Sequence, residues 1–254
     1  MLCPLSACKN ESKNIEKTVT KQEKPIVRIA FVGNEISAPQ YLPAMIKALA
    51  NSDPSAHFNV QADILSANGQ SLAELWQNEK RKTFLTKEKW DYVVLQPHEL
   101  WASNEAHVYL TQKSLAAWSQ IIRSIGAQPV FFMPWPLPPG HEKYGEPQYA
   151  TQLKNYKYMH HMNNGYAKAL SQRNNMILIP VGSYWTFTMN NAPGLTLYQE
   201  KSTVPSLEGT FLTALVLYKK LVDSSLDDLE YIPSGMEEEA RKVLIAIASK
   251  DLEK

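Results

Sequence analysis

The side chains that offer chemistry in this sequence fall into a few short clusters. Glu35 follows Gly33-Asn34, immediately after the apolar run Ile26-Val27-Arg28-Ile29-Ala30-Phe31-Val32. A carboxylate there can attack as a nucleophile, as in glycosidases, but only with a second carboxyl or a base placed opposite it. His98 stands beside Glu99, and His141, His160 and His161 come later. Histidine next to a carboxylate invites a catalytic reading. A lone loop histidine is more often a surface or hydrogen-bonded residue. His160 and His161 are adjacent, so a helix would point them to different sides, away from any shared metal. No His-Glu-x-x-His pattern occurs, and no metal or cofactor is expected. The two cysteines, Cys3 and Cys8, both precede the first strand-like run, so no disulfide or cysteine metal site is expected in the folded part.

The elements that must position these groups read as alternating strands and helices. Strand-like runs occupy residues 26–32, 58–65, 90–96, 129–134 and 176–182. Short apolar runs of this kind mark buried parallel strands. Gly33-Asn34 allows a tight turn. Ser37-Ala38-Pro39-Gln40 reads as a helix start, and Leu42, Met45, Ile46 and Leu49 share one face of that helix. Glu35 then lies between a strand's carboxyl end and a helix's amino end, the edge where open α/β sheets bind ligands. Further helices are expected over residues 72–79, 106–125, 148–172, 210–222 and 234–251. The Trp135-Pro136-Leu137-Pro138-Pro139-Gly140 loop is stiff and aromatic, suited to walling a cleft.

With 254 residues, 44% apolar and 20% charged, the chain suits one large α/β domain, and a net charge of +1 leaves no nucleic-acid footprint. No apolar run is long enough to span a bilayer. Residues 9–24 are polar and aperiodic, with five lysines against three glutamates, and read as a disordered linker. Before it, Leu5-Ser6-Ala7-Cys8 reads as a bacterial lipobox, with Cys8 the lipid-bearing residue. Residues 1–4 are too short to supply a signal peptide's basic and apolar regions, so this reading requires a start further upstream. The expected organisation is a lipidated start and tether over residues 1–25 and one domain over residues 26–254, at the bacterial cell envelope.

Several segments in register carry a resemblance. Phe31-Val32-Gly33-Asn34-Glu35-Ile36-Ser37, Trp90-Asp91-Tyr92-Val93-Val94-Leu95-Gln96, Ile179-Pro180-Val181-Gly182 with Trp185, and Val204-Pro205-Ser206 with Gly209 together resemble the SGNH/GDSL hydrolases. The resemblance runs from about Ile26 to Val222 and implies a three-layer α/β/α sandwich with a five-stranded parallel sheet. It places Gly69 and Gln96 where the family's second and third blocks supply oxyanion donors. Gly33, Asn34, Glu35, Gly69 and Gln96 by this resemblance, with His98 from the loop after the third strand, are the candidate ligand-binding set.

The same resemblance sets the chemistry in question. The family's nucleophilic serine position holds Glu35. In its last block, Asp-x-x-His-Pro-Ser-x-x-Gly, the Asp and His positions hold Lys201 and Val204. A serine hydroxyl needs an imidazole to take its proton and a carboxylate to orient that imidazole. Valine accepts no proton, and lysine would repel an imidazolium. Two function classes remain. One is an inactive, membrane-anchored SGNH-like protein that binds a small-molecule, glycan-type or protein partner at the envelope. The other is an esterase or carbohydrate-active hydrolase rebuilt around Glu35, with Glu99 or Glu200 as second carboxyl. Lys201 is further expected either to extend toward Glu35 in a direct or water-linked ion pair or to point to water.

Overall fold

The structure, a computed structural model, describes residues 24–34, 42–65, 69–149, 153–222 and 224–252. The candidate residues Glu35, Ser37 and Cys8, and the helix-start signals at Pro39 and Gln40, lie outside them. Strand β1 (Ile26–Val32) leads to helix α1 (Leu42–Ser52), strand β2 (Asn59–Ile64), helices α2 (Leu72–Trp76) and α3 (Glu79–Lys87), and strand β3 (Tyr92–Leu95). Next come helix α4 (Glu105–Ser124), strand β4 (Gln128–Phe132), helix α5 (Tyr156–Arg173) and strand β5 (Ile177–Ile179), then helices α6 (Val181–Asn191), α7 (Leu207–Val222) and α8 (Glu238–Ala248). The strands form one parallel sheet in the order β2-β1-β3-β4-β5, the five-stranded parallel sheet that the sequence predicts.

Both faces of the sheet are covered, which is why its strands read as continuous apolar runs. In β1, Val27, Ile29 and Phe31 join a core with α1, α6, α7 and α8 residues, while Ala30 and Val32 join a second core with Leu72, Leu115, Trp118 and Ile122. A small third cluster, made of Leu100, Leu137, Leu153 and Met159, lies under the loops at one end.

Several boundaries differ from the sequence reading, among them the last helix, expected over residues 234–251 and found over Glu238–Ala248. The helix expected over residues 72–79 is two helices, because Asn78 starts a new one: its side chain accepts the Arg81 N–H. The strand expected over residues 176–182 stops at Ile179. Pro180, without an N–H to donate, caps helix α6 instead, and the apolar run after it is helical. The helix expected from residue 148 begins at Tyr156, where Asn155 caps it. Two short 3-10 turns, Glu142–Gly145 and Pro147–Tyr149, precede it.

Candidate functional site

The carboxyl ends of β1 and β3 bring Gly33, Asn34 and Gln96 together. The Gln96 backbone N–H continues the ladder to Val32 O at 2.9 Å. Its side-chain Nε2 then donates to Asn34 Oδ1 at 3.3 Å, and both side chains are buried. The amide expected to donate to an oxyanion is thus turned to Asn34, and its Oε1 is buried without a hydrogen-bond partner among the described residues. Gly69 sits in the loop before α2 with φ +68°, a conformation glycine adopts at no steric cost.

The last-block loop is held by its own backbone. Tyr198 and Pro205 form an antiparallel bridge, Gln199 N–H donates to Val204 O at 2.9 Å, and Val204 N–H donates to Ser202 Oγ at 3.0 Å. Ser206 accepts the Gly209 N–H at 3.1 Å through Oγ and donates to Thr196 O, so its hydroxyl is engaged as the α7 cap. Lys201 takes φ +52° at the loop tip, exposed, with Glu200 Oε1 3.8 Å from its Nζ. An exposed pair at that distance contributes little. Glu35, the partner expected for Lys201, lies outside the described residues.

The loop after β4 departs from expectation in how it uses its aromatic. Trp135 is buried, stacked on Trp185 at 3.9 Å, and Trp185 meets Tyr198 edge-on at 4.9 Å. Tyr198 donates its hydroxyl to Pro136 O at 2.7 Å. The loop's tryptophan therefore belongs to the core. Its prolines, Pro138 and Pro139, line an open cavity of about 500 Å³ with His141, Tyr198, Lys201 and Ser202.

A second cavity, about 310 Å³, opens between α2 and α4 beside the end of β3. Ser71, Glu74, Pro97, His98, His107 and Ser114 are among its lining residues. Local sequence builds each wall. Ser71 and Glu74 form a capping box: Ser71 N–H and Oγ donate to Glu74 Oε2 at 2.7 and 2.8 Å. These bonds hold the Glu74 carboxyl below its usual range and therefore ionised. Asn104 caps α4 and accepts the His107 N–H at 2.9 Å, which sets His107 in the first turn. Thr111 and Ser114 lie further along the same face of the helix.

The two imidazoles meet edge to face, 5.4 Å between ring centres. Burial lowers the His98 pKa. His107 and Lys143 push the same way, against Glu99 and Glu74. Of the histidines weighed in the sequence, His98 and His141 are thus each placed at a cavity. His160 is half-buried elsewhere on α5, its pKa lowered to about 4 by burial and by His161. Among the described residues, no group of three or more His, Cys, Asp or Glu side chains is arranged to hold a metal ion. Sequence reasoning missed His107, Glu74 and Ser71. The Ser-x-x-Glu capping signature is the one available signal for two of them; nothing in the sequence pairs His107 with His98.

No protein-family model and no curated protein matches the sequence. Solved structures do. A protein from Slackia heliotrinireducens described as an SGNH hydrolase superimposes with TM-score 0.61 at 24% identity, over 76% of this chain and 98% of its own. A DUF4886 family protein from Bacteroides uniformis gives TM-score 0.72 at 15% identity, over 88% and 93%. An acetylxylan esterase from Geobacillus stearothermophilus gives TM-score 0.54 at 11% identity, over 77% and 94%. The shared feature is the fold, a parallel α/β sheet with helices on both sides.

Proposed function

We propose that this chain is a binding protein on an SGNH-hydrolase-like scaffold, without serine esterase activity, held at the bacterial cell envelope by lipid on Cys8 and recognising a glycan-type ligand. The loop carrying Lys201 and Val204 is the observation that carries this reading. It is folded and tied by its own hydrogen bonds, yet it offers a cation and an alkyl group where the family's carboxylate and imidazole stand. Removing a serine triad's imidazole costs about 10⁶-fold in turnover. The Ser206 hydroxyl is engaged as a helix cap, which argues against it as a displaced nucleophile. The acetylxylan esterase among the structural neighbours supports a carbohydrate-type ligand by analogy of scaffold alone.

The purified protein is expected to hydrolyse an aryl acetate no faster than its Glu35→Ala variant, and to resist labelling by a fluorophosphonate probe. Turnover that disappears in Glu35→Ala would establish the rebuilt-hydrolase reading instead, and labelling at Ser37 or Ser206 would establish a displaced serine.

Anchoring has its own test. With a native upstream signal sequence restored, the wild-type protein is expected in the membrane fraction with the added mass of lipid, and Cys8→Ala in the soluble fraction. A soluble, unmodified wild-type protein would remove the anchor from this reading.

A further inference from the structure

The cavity between α2 and α4 is built around one peptide unit pair. His98 Nδ1 accepts the Leu100 N–H at 3.1 Å. His107 Nδ1 lies 3.0 Å from Leu100 O and 2.8 Å from Ser103 Oγ. Asn104 Nδ2, which only donates, stands farther off at 3.5 Å, and Ser103 Oγ can serve either way, so the nearer carbonyl, which only accepts, favours a proton on His107 Nδ1. Neutral His98, whose Nδ1 is an acceptor, carries its proton on Nε2. One residue's backbone thus fixes opposite tautomers in two touching rings. Leu100 itself is anchored, because its side chain is buried in the third cluster with Leu137, Leu153 and Met159.

This leaves two ring nitrogens of complementary character. His98 Nε2–H is a donor and His107 Nε2 is an acceptor. Neither has a hydrogen-bond partner among the described residues, and both rings line the cavity. Glu74 adds a carboxylate, and Leu72, Ala73, Pro97 and Leu110 add apolar wall. The volume of about 310 Å³ is at the lower end of small-molecule sites, which run from about 300 to 1,000 Å³.

The ligand class is set by exclusion and by fit. A metal ion needs a lone pair from each ring, and the His98 Nε2 carries a hydrogen in the tautomer that Leu100 selects. An anion would face the Glu74 carboxylate. A hydroxyl both donates and accepts, and a pair of neighbouring hydroxyls on a ring with apolar C–H groups matches one donor, one acceptor and an apolar wall. We propose that this cavity is a binding site for a neutral saccharide, with His98 Nε2–H donating to one ring hydroxyl and His107 Nε2 accepting from its neighbour. The proposal rests on the glycan-binding function proposed for the chain and gives it a location.

The test uses the full chain labelled with ¹⁵N in histidine, with long-range ¹H–¹⁵N spectra of the imidazoles recorded during titration with xylotriose, cellotriose and chitotriose. At least one of the three is expected to shift the Nε2 resonances of both His98 and His107. Asparagine reaches the Nδ1 position but not Nε2, so His98→Asn and His107→Asn can keep the bonds to Leu100 while removing the ligand-facing edge of each ring. Each is expected to melt within about 2 °C of wild type. Each is expected to bind about tenfold more weakly, as for the loss of one hydrogen bond. Three results would overturn the site: none of the saccharides shifting either ring, binding that both Asn variants leave unchanged, or a larger response to Zn²⁺ than to any saccharide. Binding unaffected by the variants would overturn this location while leaving the glycan-binding reading intact; aryl acetate turnover would overturn that reading whatever the rings do.

Discussion

Gly209→Ala is expected to lower the thermal midpoint by about 6–12 °C, the equivalent of about 3 kcal/mol for a chain of this size. Gly209 lies in the first turn of α7, where a methyl group would overlap the Leu197 carbonyl and stand 2.7 Å from a Trp185 ring carbon. Neither neighbour is free to retreat. The Leu197 carbonyl accepts the Ser206 N–H at 2.9 Å. Trp185 is stacked on Trp135 at 3.9 Å, and its Nε1–H donates to Thr213 Oγ1 at 3.0 Å. Thr213 in turn donates to Gly209 O at 2.8 Å. A rigid ring held on two sides cannot be displaced without breaking one of these contacts. Gly194→Ala is the control, since nothing lies within 4 Å of a methyl group there. Differential scanning calorimetry of the two variants decides the matter. Equal midpoints would mean that the Trp135–Trp185 stack shifts at little cost.

The second large effect concerns Asp53, which is buried just after α1. Its Oδ1 accepts from Ser55 N–H at 2.8 Å and Ser55 Oγ at 2.6 Å, and its Oδ2 accepts the Tyr218 hydroxyl at 2.7 Å. Burial pushes the carboxyl pKa up, but the hydrogen bonds from Ser55 and Tyr218 outweigh it, and the net shift is downward. A carboxyl whose pKa is lower folded than unfolded stabilises the fold above the unfolded value, about 4, and loses that contribution as pH falls through the folded value. Asp53→Ala leaves the Ser55 and Tyr218 hydroxyls without their acceptor, at an expected cost of about 3 kcal/mol near neutral pH. Tyr218→Phe removes the charge-assisted bond to Asp53 and the hydroxyl's bond with Ser224, at about 1.5 kcal/mol or more. Urea unfolding should show the gap between wild type and Tyr218→Phe shrinking as pH is taken below about 4. A gap that stays constant with pH would mean that Asp53 is not ionised in the fold.

These two contacts also mark how far sequence alone reaches. Strand and helix alternation is written in local apolar runs, so β1 to β5 and α7 are readable from residues a few positions apart. So is the helix cap at Ser206. Asp53 and Tyr218 are 165 positions apart, and no local pattern joins them. Gly209 reads as a block residue from its spacing, but its reason is the ring of Trp185 on another helix. Helix α6 is hidden because Pro180 divides one unbroken apolar run into a strand and a helix. The candidate site divides the same way. Gln96 and Asn34 are readable as strand-end residues, yet their pairing across β1 and β3 turns the Gln96 donor away from the role its position suggests. His98 stands out as a loop histidine. His107 does not, because its nearness to His98 comes from a turn and a capped helix rather than from helical spacing.

The grip of Leu100 on two imidazoles has a consequence for how this site tolerates change. Donor and acceptor are both main-chain groups, so every residue but proline, which lacks the N–H, supplies both at position 100. Drift in residue identity there alters the packing that anchors the peptide, but only proline deletes a bonding group. Length is another matter. A single inserted or deleted residue between His98 and His107 would offset one ring from the peptide that orients it, and the two would lose their opposite tautomers together. The recognition pair is thus buffered against point substitution at its anchor and brittle to indels. A library with randomised codons at 100 should retain it in all members but proline, and one with single-residue length changes in the same loop should not.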